Sequence, residues 1–281
     1  SLLVDNGISI NQKQSIADHF NRFFVNVSQE ITSKININKS EYDDLMRSEV
    51  YQINSNFTCP SVTEDEVKLV IENLKSSNAL DVYGMSNSFV KFHKNALLKN
   101  LAKLLNKYMF QGVFPEVLKL GIVTPIFKNG SKTTCNNYRP ITINPIFGKI
   151  FEYVIYRRFQ THLDNNSIIH KNQFGYVRKS NCEIAVTHVL NDIYGFVDER
   201  KTVSLTCIDL SKAFDCIQFN ILIQKLRKLA LDPFFLNLLI SYIYGRKQAV
   251  SIDGNLSEFL IINVGSPQGG VLSGPFFDLY I

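Results

Sequence analysis

The chain has 281 residues, of which 45% are hydrophobic and 20% are charged. This composition excludes an intrinsically disordered protein, because such chains carry too little apolar surface to form a core. The length allows one large domain or two medium-sized ones. Lys and Arg number 30 against 25 for Asp and Glu, and the net charge of +5 permits a nucleic-acid partner without requiring one.

The cysteines and the apolar segments bear on the cellular compartment. The five cysteines are widely spaced and form no Cys-x-x-Cys pair, which favours reduced thiols inside a cell over a disulfide framework or a zinc site. The most apolar segment, 233–244, is interrupted by Asn237 and Ser241 and is too short for a membrane span. With no N-terminal basic-then-apolar signal, we expect a soluble intracellular protein and no membrane partner.

The first sixty residues are polar and rich in Asn, with one helical pattern. Apolar residues recur at helical spacing over 11–31, and we interpret this stripe as a packing face rather than a binding site. The residues of the stripe are Ile16, Phe20, Phe23, Phe24, Val27 and Ile31. The segment that follows, 36–56, is expected to be a connector.

The remaining elements are predicted from the spacing of apolar residues and from capping and turn residues. Thr63 and Glu66 form a capping-box pattern that predicts the start of a helix. A strand is expected at 122–127 and a β-hairpin around Asp253-Gly254-Asn255. The glycine-rich stretch 265–275 is expected to be a loop. Further helices are predicted at about 87–110, 145–162, 182–199, 219–231 and 233–244.

Two loops carry several cationic residues in patterns that suit binding of phosphates or of nucleic acid. Lys128, Lys132 and Arg139 lie in a stretch without an acidic residue, which indicates a solvated loop or a site for phosphates. The loop 170–180 mixes Lys and Arg with aromatic residues, a pattern that suits stacking on bases and neutralisation of a phosphate backbone.

The stretch VSLTCIDLSKAFD at 203–215 is central to the interpretation. Its apolar and β-branched residues at 203–208 predict a buried strand that ends directly at Asp209. A carboxylate in this place lies at the sheet edge where open α/β sites bind ligands. Asp209 is therefore a candidate metal ligand, and the alternative is that it caps the following turn.

Four blocks in a fixed order resemble successive motifs of the reverse transcriptases of non-LTR retrotransposons, the LINE and jockey-like elements. They are NYRPI at 137–141, NQFG at 172–175, IDLSKAFD at 208–215 and GSPQGGVLS at 265–273. The resemblance covers 59–281, and the first residues resemble the linker that precedes the polymerase in such elements. A group II intron maturase is a less favoured relative, because the run at 210–215 fits the LINE group better.

The resemblance implies an α+β right-hand polymerase. Its parts would be a helical N-terminal linker at 1–58, fingers at 59–201, and at 202–281 a partial palm whose antiparallel sheet packs on helices. Such an enzyme is an RNA-directed DNA polymerase that adds dNTPs to the 3′ end of a DNA primer on an RNA template, using two Mg²⁺ ions. It would be assembled in the cytoplasm and act in the nucleus at the site of integration. The resemblance leaves the oligomeric state open.

The resemblance also implies roles for single residues. Asp209 would bind both metal ions, assisted by the backbone carbonyl of Leu210. Phe214 would exclude a 2′-hydroxyl from the nucleotide site, although a Phe is more often a core residue. Asp215 would be a helix-start residue rather than a metal ligand. The other nucleotide-binding residues would be Lys128, Lys132, Arg139, Lys212, Ala213, Gln268 and Gly269.

The chain departs from the family pattern at its end. In the family, the segment after Gln268 leads to a Tyr-x-Asp-Asp hairpin with further metal-binding carboxylates, and this sequence stops at Ile281 before such a motif. We therefore expect a fragment of a longer reading frame, which in such elements usually also encodes an endonuclease upstream, or a decayed copy. A second hypothesis follows: a catalytically inactive remnant that only binds nucleic acid.

Overall fold

A computed structural model describes residues 3–5, 8–33, 51, 53–54, 56–210, 212–266 and 269–281. The connector expected at 36–56 lies mostly outside these residues, and Gln268 lies outside them as well. No helix within the described ranges is long and apolar enough to cross a membrane. The five cysteines are free thiols.

The N-terminal helix packs on the sheet. A short hairpin of β1 (Leu3–Asp5) and β2 (Ile8–Ile10) leads into α1 (Lys13–Ser33). Ile16, Phe20 and Phe24 of α1 are buried in a cluster that includes Val123 and Val250 of the sheet. The predicted packing face is thus confirmed.

The next three helices form one side of the main core. They are α2 (Glu64–Asn73), α3 (Asn87–Phe92) and α4 (Lys94–Gln111). The single helix expected at 87–110 is wrong, since the chain leaves helical geometry at His93, where ψ is 11°. This bend lets Val90 of α3 and Leu101 of α4 enter the same core. Gly112, in left-handed geometry with φ +66°, ends α4.

The sheet is mixed rather than purely antiparallel. Its strands are β3 (Leu120–Phe127), β4 (Tyr138–Ile143), β5 (Lys247–Ile252), β6 (Asn255–Leu256) and β7 (Leu260–Ile261). The order is β4-β3-β5, with β6 and β7 both pairing with β5. β3 and β5 are parallel, with Val123 opposite Val250, and parallel pairing is possible because a long helical crossover connects them. One sheet therefore contains strands from both of the parts expected from the sequence, 59–201 and 202–281.

The structure confirms the turn of the predicted hairpin. Ile252 pairs with Asn255, so Asp253 and Gly254 form a two-residue turn. Their φ angles of 48° and 84° are those of the primed turn that matches strand twist.

The remaining helices complete the main core. They are α5 (Ile146–Asn165), α6 (Cys182–Asp198), α7 (Phe219–Arg227), α8 (Pro233–Ile243) and α9 (Ser273–Tyr280). All but α6 contribute buried apolar residues to this core. Helix α6 has no buried residue, although its limits agree with the prediction.

The buried strand expected at 203–208 is wrong. Residues 201–210 have no regular structure, and Leu205 and Ile208 are 62% and 84% exposed. A strand needs a neighbour to satisfy its backbone groups. Within the described part of the chain, no strand pairs with this segment.

The loop expected over the whole of 265–275 is wrong at its end, because Ser273 begins α9. Pro275 is tolerated there because the first-turn N–H groups of a helix have no intrahelical partner. Gly274 is buried against Tyr176, and a Cβ at residue 274 would lie 2.7 Å from the Tyr176 ring. The glycine therefore serves close packing rather than flexibility.

A buried ion pair joins α2 to α5. The Arg158 side chain is 5% exposed, and it donates to both carboxylate oxygens of Glu66 at 2.8 and 3.0 Å. Its remaining hydrogen bonds go to the carbonyls of Pro60 and Val154. The capping box is therefore confirmed only in part: the Thr63 hydroxyl accepts from the Glu66 N–H at 3.1 Å, while the Glu66 side chain binds Arg158.

Glu66→Ala should lower the free energy of unfolding by about 3 kcal/mol, because it leaves the buried Arg158 charge unpaired. Glu64→Ala is the matched control: it removes the same charge from the same helix turn at an exposed position and should cost less than about 1 kcal/mol. Urea denaturation measures both values. Equal losses would show that Glu66 acts only on the helix dipole.

Candidate functional site

A polar cavity lies where α1, the β3–β4 hairpin and two loop segments meet. Its volume is about 470 Å³. Three cations line it, Lys128, Arg139 and Lys212, together with the carboxylates of Asp209 and Asp215. The sequence segments that supply these side chains are far apart, so the fold concentrates opposite charges in one place.

Half of the ten predicted site residues line this cavity: Lys128, Arg139, Asp209, Leu210 and Lys212. The fold brings the first two there because Lys128 follows β3 and Arg139 lies on β4, where it pairs with Ile126.

Of the other predicted residues, Gln268 is outside the described part of the chain, and the rest are not among the lining residues. Lys132 is outside the lining, with its Nζ 5.7 Å from the centre of the Phe127 ring. Gly269 also lies outside the lining but close to it, since a Cβ there would be 3.3 Å from the carbonyl oxygen of the cavity residue Thr142. Ala213 and Phe214 are not among the lining residues.

Phe214 packs in an aromatic cluster beside the cavity. Its ring is half-buried and meets the Tyr176 ring edge-on at 5.5 Å and the Phe277 ring at 4.8 Å. Tyr176 itself is held in left-handed backbone geometry, with φ 55°, which a non-glycine residue adopts only when its surroundings compensate. The ring of Phe214 thus contacts two aromatic rings that lie outside the cavity lining.

Lys212 is held by backbone geometry and by an aromatic ring. Its φ of 54° turns the chain from the irregular segment into a short 3-10 turn at Ala213–Cys216. Its Nζ lies 5.3 Å from the centre of the Phe23 ring, a cation–π contact. Phe23 belongs to α1, so the N-terminal helix orients a cation of the site.

The participation of α1 was missed from the sequence, which predicts only a packing face. Phe23, Phe24, Val27 and Ser28 line the cavity. Two buried amides fix the helix: Asn21 donates to the Gln248 carbonyl at 3.3 Å, and the Gln248 side chain donates to Asn21 Oδ1 at 3.1 Å. The sequence carries no separate signal for this role, because all six residues of the stripe lie within an arc of about 100°, as in an ordinary packing face.

Backbone hydrogen bonds join the block at 265–273 to the block at 208–215. The Gly265 N–H donates to the Ile217 carbonyl and the Ser266 N–H to the Phe214 carbonyl, both at 2.9 Å. Gly265 has φ +91°, and a Cβ there would lie 2.8 Å from the Asp215 carbonyl oxygen. Only glycine allows this close approach.

Two side-chain hydrogen bonds connect Val271 and α9, at the C-terminal end of the chain, to earlier parts of the chain. The buried Glu152 accepts from the Val271 N–H at 2.9 Å, and burial raises its pKa against the opposing effect of Arg246. Gln173 of the NQFG block donates to Asp278 of α9 at 2.6 Å, and partial burial raises the pKa of Asp278 to about 6. Residues of three sequence blocks thus line the cavity, while the NQFG block contacts α9.

Among the described residues, the carboxylates of Asp209 and Asp215 line the same cavity as Leu210. Mg²⁺ is often held by one or two carboxylates together with substrate phosphates. However, no three His, Cys, Asp or Glu side chains within the described ranges are grouped so that they could hold a metal ion. Among the described residues, the cavity thus offers two carboxylates, and a bound metal ion would need further ligands.

Comparison with known proteins identifies the class. The sequence model of the family described as "Reverse transcriptase (RNA-dependent DNA polymerase)" matches residues 126–281. The chain therefore belongs to the reverse transcriptase family.

Its relatives are proteins of mobile elements. The chain is 27% identical over 243 residues to the RNA-directed DNA polymerase from mobile element jockey of Drosophila funebris, a match that covers 85% of this chain and 26% of the relative. It is 29% identical over 217 residues to the probable RNA-directed DNA polymerase from transposon X-element of Drosophila melanogaster, covering 76% of this chain and 24% of the relative. The chain spans about a quarter of the length of these relatives.

Gly265→Ala should lower the free energy of unfolding by more than Gly254→Ala does. Both residues have positive φ, which costs a substituted alanine about 1 kcal/mol. Only at Gly265 does the new Cβ also meet backbone, at Asp215, since nothing lies within 4 Å of a Cβ at Gly254. We expect a further loss of about 1–3 kcal/mol, measured by urea denaturation, and equal losses would mean that the two loops are not tightly joined.

Proposed function

We propose that this chain is the reverse transcriptase domain of a non-LTR retrotransposon protein, an RNA-directed DNA polymerase that adds dNTPs to a DNA primer on an RNA template. One observation carries the proposal: Lys128 and Arg139 of the β3–β4 hairpin line the same cavity as Asp209 and Lys212, which belong to a distant segment of the chain. The family match and the jockey-like relatives support it. Fingers at 59–201 and a partial palm at 202–281 remain the proposed division.

The cations suit a triphosphate. Transfer of a nucleotidyl group depends mainly on positioning and on neutralising charge, with little covalent chemistry for the protein. Arg139 and Lys128 are exposed at one side of the cavity, where they would bind phosphate oxygens. Arg139 offers a planar fork of donors and Lys128 a mobile point charge, so the first would orient the triphosphate and the second would add neutralisation. Lys132, outside the lining, is the weaker candidate.

Asp209 and the Leu210 carbonyl are the proposed protein ligands for Mg²⁺. Reverse transcriptases use divalent metal ions, and two bound Mg²⁺ ions would activate the primer 3′ hydroxyl and stabilise the leaving pyrophosphate. The further carboxylates would come from a Tyr-x-Asp-Asp segment of a longer protein. Asp209 is exposed and flanks the cavity, a position that suits a ligand rather than a cap.

The loop at 265–273 would form the other wall of the nucleotide site. Gly269 lies near Thr142, and the loop is fixed to 214–217 by backbone hydrogen bonds. We propose that Gln268 and Gly269 contact the nucleotide and the template side. The partners are an RNA template, a DNA primer or target, and dNTPs, with action in the nucleus after assembly in the cytoplasm.

Asp209→Asn in the full-length protein should reduce primer extension by at least about 100-fold, because it removes the shared carboxylate. RNA affinity should change little, since phosphate contacts come from the cations. Primer extension and RNA titration measure the two effects. Asp253→Asn is the matched control, because this exposed carboxylate lies in the turn between β5 and β6, outside the cavity lining, and pairs with Lys13 of α1. Retained extension with lost RNA binding would refute the assignment.

Phe214→Ala in the full-length protein should raise incorporation of ribonucleotides relative to deoxyribonucleotides, because the ring would no longer press against the sugar. Competition between the two substrates in primer extension gives the ratio. Phe277→Ala is the control, since it removes a neighbouring ring of the same aromatic cluster. Unchanged sugar selectivity in Phe214→Ala would show that the ring is only part of the core.

A catalytically inactive, nucleic-acid-binding remnant is the second candidate. It is favoured by one observation, that the described residues present no cluster of three potential metal ligands. Nucleic-acid affinity that weakens as salt rises, without primer extension by the full-length protein, would support this alternative.

A further inference from the structure

Helix α4 (Lys94–Gln111) has an outer face of one charge. It contains Lys94, Lys99, Lys103 and Lys107 and no acidic residue. Lys94 pairs with Glu72 of α2. None of the ion pairs among the described residues includes the other three lysines, and all three are exposed.

These three lysines form a ridge on the solvent side of the helix, which we call the α4 ridge. Leu101, Ala102, Leu105 and Met109 form the buried face of α4. At about 100° per residue, Lys99, Lys103 and Lys107 lie within an arc of about 80° on the opposite side. They follow each other at steps of about 6 Å along the axis, so three positive charges are arranged in a row.

An exposed pair of aromatic rings stands at the end of the ridge. Phe110 lies on the same face of α4 as the lysines and is 77% exposed. Its ring stacks on Phe234 at the start of α8, with centroids 5.7 Å apart and planes 11° apart, and Phe234 is 51% exposed. The two stacked rings bury little of each other's surface, so much of each ring stays exposed to solvent.

We propose that the α4 ridge with Phe110 is a second nucleic-acid-binding surface, which holds a single-stranded segment outside the catalytic cavity. No residue of α4 lines that cavity. Lysines in a row neutralise successive phosphates, and an exposed ring stacks on a base whose face is free. A single strand is favoured over a duplex because only unpaired bases can reach the ring. This inference rests on the proposed function in one respect only, that the partner is a nucleic acid.

The first test is the salt dependence of binding. The full chain is titrated with a fluorescent oligouridylate of about 20 nucleotides at several salt concentrations. The triple variant Lys99→Gln, Lys103→Gln and Lys107→Gln should lower the slope of log K against log salt by about 2, which is three phosphate contacts at roughly 0.7 each. Gln is a good helix former, so the variant should fold.

A matched control removes the same charge elsewhere. Lys68→Gln, Lys75→Gln and Lys247→Gln changes three exposed lysines and should leave the slope as in the wild type. An equal decrease in both triple variants would show an effect of net charge and overturn the proposal. An unchanged slope in the α4 variant would also overturn it.

The second test is the aromatic contact. Phe110→Ala should weaken binding of the oligouridylate by roughly 5- to 100-fold and leave binding of a blunt duplex unchanged, because a stacked base is lost. Phe92→Ala is the control, an exposed Phe that precedes α4. Equal weakening for both nucleic acids would overturn single-strand recognition. A wild-type chain that binds neither nucleic acid contradicts the proposed function itself, whereas wild-type binding that survives all α4 changes contradicts only this inference.

Discussion

Two backbone hydrogen bonds hold the candidate site together, from Gly265 to Ile217 and from Ser266 to Phe214. The segment 201–210 has no regular structure, so the position of Asp209 depends on how the chain is anchored just after it. That anchor is the short turn at Ala213–Cys216, against which Gly265 packs closer than any side chain would allow. The loop at 265–273 and the candidate metal ligand are therefore positioned by the same contact.

The N-terminal helix is part of the site as well as of the core. Buried amides of Asn21 and Gln248 join α1 to β5, and this leaves Phe23 beside Lys212. Because hydrogen bonds between buried amides are costly to leave unmade, the helix has one well-defined register on the sheet. A segment that resembles a linker thus forms one wall of the cavity, and residues before the matched family region at 126–281 contribute to it.

The local distribution of charge says more about binding surfaces than the net charge does. An excess of five positive charges over 281 residues is small, yet cations concentrate at the cavity and along α4. At the cavity they are accompanied by Asp209 and Asp215, as the proposed site for metal-bound phosphates would require. On α4 the lysines have no acidic neighbours on the helix, as the proposed surface for phosphates alone would require. The two surfaces would therefore respond differently to salt and to divalent ions.

The sequence by itself determined the elements whose signals are local. The stripe of α1, the start of α2 at Thr63 and the turn at Asp253-Gly254 follow from periodicity, capping and backbone preference, each of which acts within a few residues. The family motifs likewise identified Arg139, Asp209 and Lys212, and the cationic stretch before the first motif identified Lys128. The fold brings all four to one cavity. Only the tertiary structure decided the rest. The β-branched run at 203–208 is not a strand, because pairing depends on a neighbouring strand, and the directions of Lys132 and Phe214 depend on the rings of Phe127, Tyr176 and Phe277. Contacts between residues distant in the chain leave no periodic trace in it, so the wall formed by α1 and the packing at Gly265 became visible only in three dimensions.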